Sequence, residues 1–87
     1  MNEPDTFIVT VTNEERSFEQ DMELPSGMLI SELSSQILVI LKDIHEDIFS
    51  QWLSCRLECG NKILNKDDTL VKASVFDGSM IVVREGE

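Results

Sequence analysis

The segment Met28-Leu-Ile-Ser-Glu-Leu-Ser-Ser-Gln-Ile-Leu-Val-Ile-Leu-Lys-Asp-Ile44 carries the strongest structural signal in this chain. Most of its apolar residues recur every three or four positions, which is the spacing of one face of an α-helix. The predicted buried stripe consists of Ile30, Leu33, Ile37, Ile40, Leu41 and Ile44. The polar positions expected to face water are Ser31, Glu32, Ser34, Ser35, Lys42 and Asp43. Because one amphipathic helix cannot bury its stripe alone, the remaining segments must supply the opposing surface.

Short alternating or β-branched runs on both sides of this helix predict strands. Residues 6–12 and 17–24 form a predicted hairpin before the helix, and residues 53–59, 62–64 and 79–84 form three strands after it. The alternation in residues 53–59 places Leu53, Cys55, Leu57 and Cys59 inward. Residues 45–52 are compatible with a longer helix, a second short helix or a loop. In each case, the apolar side chains of this segment are expected to cover Leu38 and Val39. The predicted order is ββαβββ, an α+β fold with a mixed sheet packed on one long helix.

The composition bounds the possible partners and the compartment. The chain has 87 residues and a net charge of −10, which disfavours nucleic-acid phosphates and anionic membranes as partners. The charge is compatible with a basic protein partner, and equally with a role limited to solubility. No apolar run approaches the about 20 residues that span a bilayer. The N-terminus also lacks the pattern of a signal peptide. We therefore expect a cytoplasmic domain with no direct membrane insertion.

No group of residues has the pattern of a catalytic, metal or cofactor site. Cys55 and Cys59 are four residues apart on a predicted strand, about 13 Å at ~3.3 Å per residue. This distance excludes a disulfide between them, since that bond needs Cα atoms less than about 7 Å apart. Both cysteines are expected in the core. The single histidine, His45, has no cysteine or histidine at metal-binding spacing and is expected at a solvated helix end. The sequence thus predicts no enzyme and no cofactor.

Two segments resemble ubiquitin. Residues 56–70, Arg-Leu-Glu-Cys-Gly-Asn-Lys-Ile-Leu-Asn-Lys-Asp-Asp-Thr-Leu, resemble without a gap its segment from the third strand to the Thr-Leu turn. Residues 22–27, Met-Glu-Leu-Pro-Ser-Gly, resemble the end of its second strand and the following turn. This resemblance implies a ubiquitin-like β-grasp domain over residues 6–84, with a disordered N-terminus at 1–5 and a C-terminal tail at 85–87.

In two features that depart from ubiquitin, the chain resembles the YukD/EsaB family. The members of this family are small ubiquitin-like proteins of bacterial type VII secretion systems. The chain is several residues longer between Ile30 and Leu57, and its ending, Arg84-Glu-Gly-Glu87, lacks the terminal Gly-Gly of ubiquitin. The resemblance implies a non-catalytic, non-conjugated adaptor or regulator of type VII (WXG-type) secretion, with a cytoplasmic component of the machine as its partner. Two alternatives stay open: an interaction domain of a larger protein, such as a membrane secretion component, and a conjugated modifier or sulfur carrier.

The resemblance also suggests a partner-binding surface. The outer face of the ubiquitin sheet is an apolar docking patch. The matching positions here, predicted to bind a partner, are Ile8, Arg56, Glu58, Val82 and Arg84. Glu58 replaces the central apolar residue of that patch, which argues against ordinary ubiquitin-binding domains as partners. The alternatives are a plain solvated sheet face and a second surface near Phe49 and Trp52. The acidic hairpin around Glu19 and Asp21 is expected to speed encounter with a basic partner.

Overall fold

Seven regular elements lie in residues 5–86, the part of the chain that the computed structural model describes. They are β1 (Thr6–Asn13), β2 (Glu19–Pro25), α1 (Ile30–Ile44), α2 (Glu46–Phe49), β3 (Cys55–Cys59), β4 (Lys62–Ile63) and β5 (Met80–Glu85). The predicted α+β class is confirmed. The observed order differs from ββαβββ by α2, so a second short helix occupies part of residues 45–52.

One five-stranded mixed sheet has the order β2-β1-β5-β3-β4. β1 pairs antiparallel with β2 and parallel with β5, and β5 pairs antiparallel with β3. The last strand in sequence therefore lies at the centre of the sheet. Phe7, Val9 and Val11 of β1 point into the core, as their alternation predicts, and join the buried residues of α1 there.

The buried face of α1 is rotated relative to the predicted stripe. Ile30, Leu33, Ile37 and Leu41 are buried as expected, but Ile40 is 40% exposed and Ile44 is 48% exposed. Ser34 and Leu38, on the other flank of the stripe, are buried instead. The cause is β3, which covers that flank: the Cys55 thiol donates a hydrogen bond to the Ser34 carbonyl at 3.2 Å. Ile44 is the last residue of α1, where the chain turns into α2.

The N-terminus of α1 is capped by main chain rather than by a side chain. Leu29 is the N-cap residue and provides no side-chain hydrogen bond. The Ile30 N–H donates to the Asp68 carbonyl at 2.8 Å, and the Ser31 N–H donates to the Lys66 carbonyl at 3.1 Å. Helix termini need such partners because their first N–H groups have none within the helix. The loop after β4 therefore fixes where the helix begins.

The connection after α1 covers a different part of the core from the one predicted. Phe49 is fully buried, with its ring centroid 5.5 Å from that of Phe18 and 4.7 Å from that of Trp52. Val39, which this segment was expected to cover, is 68% exposed. His45 lies at the end of α1, as predicted, but it is half-buried rather than solvated, and its ring centroid lies 4.5 Å from that of Phe18. The aromatic side chains therefore close the core beside the β1–β2 hairpin.

Every strand has at least one boundary that differs by one or two residues from the sequence-based expectation, and those of β3 and β5 matter most here. β3 begins at Cys55, so Leu53 precedes the strand and is 91% exposed instead of pointing inward. Cys59, also expected in the core, is only half-buried at the end of β3. β5 continues through Glu85, one residue beyond the predicted domain boundary at 84, and the Gly86 N–H donates to the Ser54 carbonyl at 2.9 Å. Residues 1–4 of the expected disordered N-terminus and residue 87 lie outside the described residues.

Candidate functional site

Four of the five predicted partner-binding residues lie together on the outer face of the sheet, the face directed away from α1. Arg56 is opposite Arg84, and Glu58 is opposite Val82, across the β3–β5 pair. Ile8 shares this face but lies apart. Thr12 is the residue of β1 that pairs with Val82 of β5. Ile8 precedes Thr12 by four residues, which is about 13 Å along β1 at ~3.3 Å per residue. The structure therefore groups the four β3 and β5 residues and separates Ile8 from them.

Arg84 is held in place by two carboxylates. Its guanidinium forms an ion pair with Glu14 at 2.8 Å and a second, shorter one with Glu58. The hydrogen bond to Glu58, with the nearby charge of Glu14, raises the pKa of Arg84 above its ordinary value. Since Glu58 is mostly covered and paired, its charge is compensated where ubiquitin has an apolar residue. Arg84 and Glu58 thus form a neutral, ordered centre to this face.

Arg56 is the cation that this face leaves available. Its side chain is exposed and forms no ion pair with any residue from 5 to 86. Arg56 lies opposite Arg84, which has the same charge. The two carboxylates on this part of the face, Glu14 and Glu58, both form ion pairs with Arg84. A carboxylate of a partner protein could therefore reach Arg56 without displacing an existing ion pair.

Two further residues complete the surface that the sequence reasoning only partly identified. Met80 lies beside Thr10 and accepts a weak hydrogen bond at its sulfur from the Arg16 guanidinium at 3.4 Å. Ile63 is exposed and lies opposite Glu58 on β4. We call Arg56, Glu58, Ile63, Met80, Val82 and Arg84 the central patch. Met80 could have been found from its two-residue spacing to Val82, and Ile63 from the Gly60-Asn61 turn. No sequence signal indicated that Glu14 contacts Arg84.

An acidic strip borders the central patch on the β1–β2 side of the sheet. Glu19, Asp21 and Glu23 alternate along the edge strand β2 and are exposed. Threonine hydroxyls of β1 donate to two of these carboxylates: Thr10 to Asp21 at 2.8 Å and Thr6 to Glu23 at 3.0 Å. The outer face therefore has two halves. The half on the β1–β2 side is acidic, and the half formed by β3, β4 and β5 presents apolar side chains around the Arg84–Glu58 ion pair.

The second predicted surface, near Phe49 and Trp52, is largely closed. Phe49 is fully buried and cannot contact a partner, which contradicts that part of the prediction. Trp52 is half-buried and lines a cavity of about 200 Å³ at one end of the sheet, with Glu14, Glu15 and Glu85 among its neighbours. The exposed apolar side chains of the outer sheet face make it the stronger of the two candidates.

The remaining candidates for reactive or metal-binding groups are the buried thiol of Cys55 and the His, Cys, Asp and Glu side chains of the described residues. Burial raises the pKa of Cys55 to about 11, and the nearby charge of Lys66 opposes the shift. This thiol is therefore protonated at neutral pH and far less nucleophilic than a thiolate. From Asp5 to Gly86, no three His, Cys, Asp or Glu side chains are grouped so as to hold a metal ion. No helix of this part of the chain is long and apolar enough to cross a membrane.

Comparison with known proteins identifies the fold. No protein-family model matches the chain, and no curated protein matches it. Among solved structures, one chain of the MycP5-free ESX-5 inner membrane complex (State II) matches 93% of this chain with a TM-score of 0.77 and 16% identity. The ubiquitin-like domain of the Mycobacterium tuberculosis type VII secretion protein EccD1 matches 90% of this chain, with a TM-score of 0.72 and 22% identity. The ubiquitin-like domain of EccD5 from Mycobacterium xenopi matches 97%, with a TM-score of 0.75 and 14% identity.

These matches establish a ubiquitin-like β-grasp fold for this chain. The two isolated domains are covered almost completely, at 96% and 98% of their lengths. By contrast, this chain spans 21% of the chain that it matches in the ESX-5 complex. The expected ubiquitin-like fold is thus confirmed, and in the ESX-5 complex the same fold is a part of a much longer chain.

Proposed function

We propose that this ubiquitin-like domain is a non-catalytic, non-conjugated adaptor or regulator of type VII protein secretion that acts by binding a protein. The observation that carries the proposal is the fold match over at least 90% of this chain to ubiquitin-like domains of type VII secretion proteins. The greater length between Ile30 and Leu57, a feature in which the chain resembles the YukD/EsaB family, supports the same system. The proposed partner is a cytoplasmic component of the secretion machine.

The central patch is the proposed binding surface. The Arg84–Glu58 ion pair fixes its middle, and Val82, Met80 and Ile63 present apolar side chains around it. Because the strands hold these residues in register, little side-chain ordering is required when a partner binds. Arg56 supplies a cation for a carboxylate of the partner. The acidic strip on β2 attracts a partner with a basic surface and raises the association rate, an effect that added salt screens.

The test is a double substitution in the central patch with a matched control. Arg56→Glu with Val82→Asp changes the charge by −3 on the patch. Lys72→Glu with Ser74→Asp makes the same change in the exposed segment before β5. Circular dichroism must first show that both variants fold. We then expect the patch variant, and not the control, to lose the partner in pull-downs from native-host extracts at low and high salt, and to lose secretion. If the folded patch variant captures the same partners and supports secretion as the control does, the central patch is not the binding site.

A second candidate function is that of an interaction domain within a larger secretion protein. It is favoured by the ESX-5 match, in which a chain about five times longer contains this fold, as its 21% coverage implies. An immunoblot of the native host separates the possibilities. A single band at the size of this chain supports the adaptor, a much larger single band supports the larger protein, and a ladder of adducts supports a conjugated modifier.

A further inference from the structure

An apolar groove lies on the opposite side of the sheet from the central patch. Val39 and Leu53 are two of the most exposed large apolar side chains among the described residues, and both line this groove. Ile40 and Ile44, the residues of α1 that the sequence placed in the core, extend the apolar surface beyond Val39 in an adjoining shallow groove. Leu53 is 91% exposed, so nearly all of its apolar surface would be removed from water by a covering molecule. This surface therefore gains most if another molecule covers it.

The size of the groove indicates a protein side chain rather than a metabolite as its occupant. Its cavity of about 240 Å³ lies between α1 and the segment before β3, and its lining includes Leu38, Val39, Lys42, Leu53 and Cys55. Pockets for drug-sized ligands are larger, at about 300–1,000 Å³. Along α1 the groove extends from position 34 to position 42, which is about 12 Å at ~1.5 Å per residue. That length matches two turns of a second helix laid beside α1.

The charge of the groove indicates what such a helix carries. Lys42 is the one charged side chain among the cavity-lining residues, in a chain whose net charge is −10. It forms no ion pair within residues 5–86. Asp43 lies on the other side of Val39, in the adjoining shallow groove. A carboxylate on the occupant, placed beside its apolar residues, therefore complements the cavity at Lys42.

We propose that this groove, bounded by α1 and the segment before β3, binds an amphipathic helix of a partner protein. Apolar residues of the partner helix, about two turns apart along it, insert between Val39 and Leu53. An acidic residue of the same helix pairs with Lys42. Helices commonly bind such grooves through anchors at positions i, i+3 or i+4, and i+7. A second copy of this chain fits less well, because two molecules of charge −10 repel each other and a two-fold contact centred here brings the two Lys42 side chains together.

This surface differs from the central patch. The groove lies on the helix side of the sheet, and Met80, Val82 and Arg84 of the central patch do not line it. Arg56 and Ile63 come closer, because they line a small pocket together with Ser34 and Cys55 of the groove. An adaptor with two such surfaces can connect two proteins.

The test uses a defined probe and amide chemical shifts of the isotope-labelled protein. The probe is a 15-residue alanine- and glutamine-based helical peptide with leucines at positions i, i+3 and i+7 and one flanking glutamate. A matched peptide carries lysine in place of that glutamate. We expect the glutamate peptide to shift the amides of Ser35, Val39, Lys42 and Leu53 and to leave those of Met80 and Val82 in the central patch unchanged. Leu53→Glu should weaken binding at least about tenfold. Lys42→Glu should reverse the preference between the two peptides, a change of about two- to fivefold for each.

Two control variants separate this proposal from the proposed function. Met80→Glu and Val82→Asp, in separate variants, alter only the outer sheet face, so both should bind the glutamate peptide as the unaltered protein does. The groove proposal is wrong if the peptide produces no shifts up to about 1 mM, the limit of weak specific binding. It is also wrong if Leu53→Glu leaves the affinity unchanged. Finally, sedimentation of the unaltered protein as a dimer that Leu53→Glu dissociates would assign the groove to a second copy and overturn the proposal.

Discussion

Replacing Ile37 and Ile40 by alanine, in separate variants, tests which face of α1 organises the fold. Both residues are isoleucines within one helix, three positions apart. Ile37 is fully buried between α1 and the sheet, whereas Ile40 lies at the margin of the buried face. Both substitutions raise the helix propensity equally, by up to about 0.7 kcal/mol. The difference between the two variants therefore reports burial alone.

The expected magnitudes follow from these positions. Ile37→Ala removes a fully buried side chain and leaves a cavity, at a cost of about 2–5 kcal/mol. Ile40→Ala removes a side chain that water already reaches, so we expect about 1 kcal/mol or less. An 87-residue domain unfolds with roughly 4–13 kcal/mol in total, so the first substitution takes a large share of that stability. The predicted difference between the variants is about 1–5 kcal/mol.

Urea unfolding followed by the fluorescence of Trp52, the chain's single tryptophan, measures both values. Trp52 packs against buried Phe49 and therefore reports loss of the core. The denaturant slope should be the same in both variants, because neither substitution changes the surface that unfolding exposes by much. A difference below about 1 kcal/mol between Ile37→Ala and Ile40→Ala would refute the assignment of the buried face.

Further predictions concern the cysteines and one turn. Cys59, half-buried at the end of β3, should react with a thiol reagent in the native protein at pH 8 well before Cys55, and equal rates would contradict the burial difference. Because burial raises the pKa of Cys55 from 9.0 to about 11, the folded state binds more protons between these values. The free energy of unfolding should therefore be unaffected by Cys55 below about pH 9 and fall as the pH rises towards 11, and this fall should be absent from Cys55→Ala. Asn61 has a φ of +65°, so Asn61→Ala should cost about 1 kcal/mol in urea unfolding, and Asn61→Gly should not destabilise the fold.

Local signals in the sequence were sufficient for most of the fold. The helical spacing located α1, and the Gly60-Asn61 and Asp77-Gly78 pairs marked turns whose residues include the positive φ angles of Gly60, Asn61 and Gly78. Periodicity could not tell how wide the buried face is or which neighbour covers each flank. Ile40 and Ile44 were therefore assigned to the core, and Ser34 to solvent. Alternation similarly continued the third strand back to Leu53, although pairing with β5 begins only at Cys55.

The candidate site was predictable only where strand register decides it. Once the strand order is known, the two-residue spacing places Arg56, Glu58, Val82 and Arg84 on one face. The contact of Arg84 with Glu14 joins residues that are 70 positions apart and depends on the conformation of the β1–β2 turn. The separation of Ile8 from the others depends on the stagger between β1 and β5, which no local pattern encodes.

The central position of β5 has a consequence for synthesis in the cell. The sheet closes only when β5 enters between β1 and β3, and β5 is the last strand to leave the ribosome. Until Met80 and the residues after it are available, β1 and β3 each present an unpaired edge, and such edges promote association with other chains. Translation that stops before Met80 should therefore yield an aggregation-prone or rapidly degraded product. Completion of the last strand, rather than formation of the helix, is the step that commits a nascent chain to the folded domain.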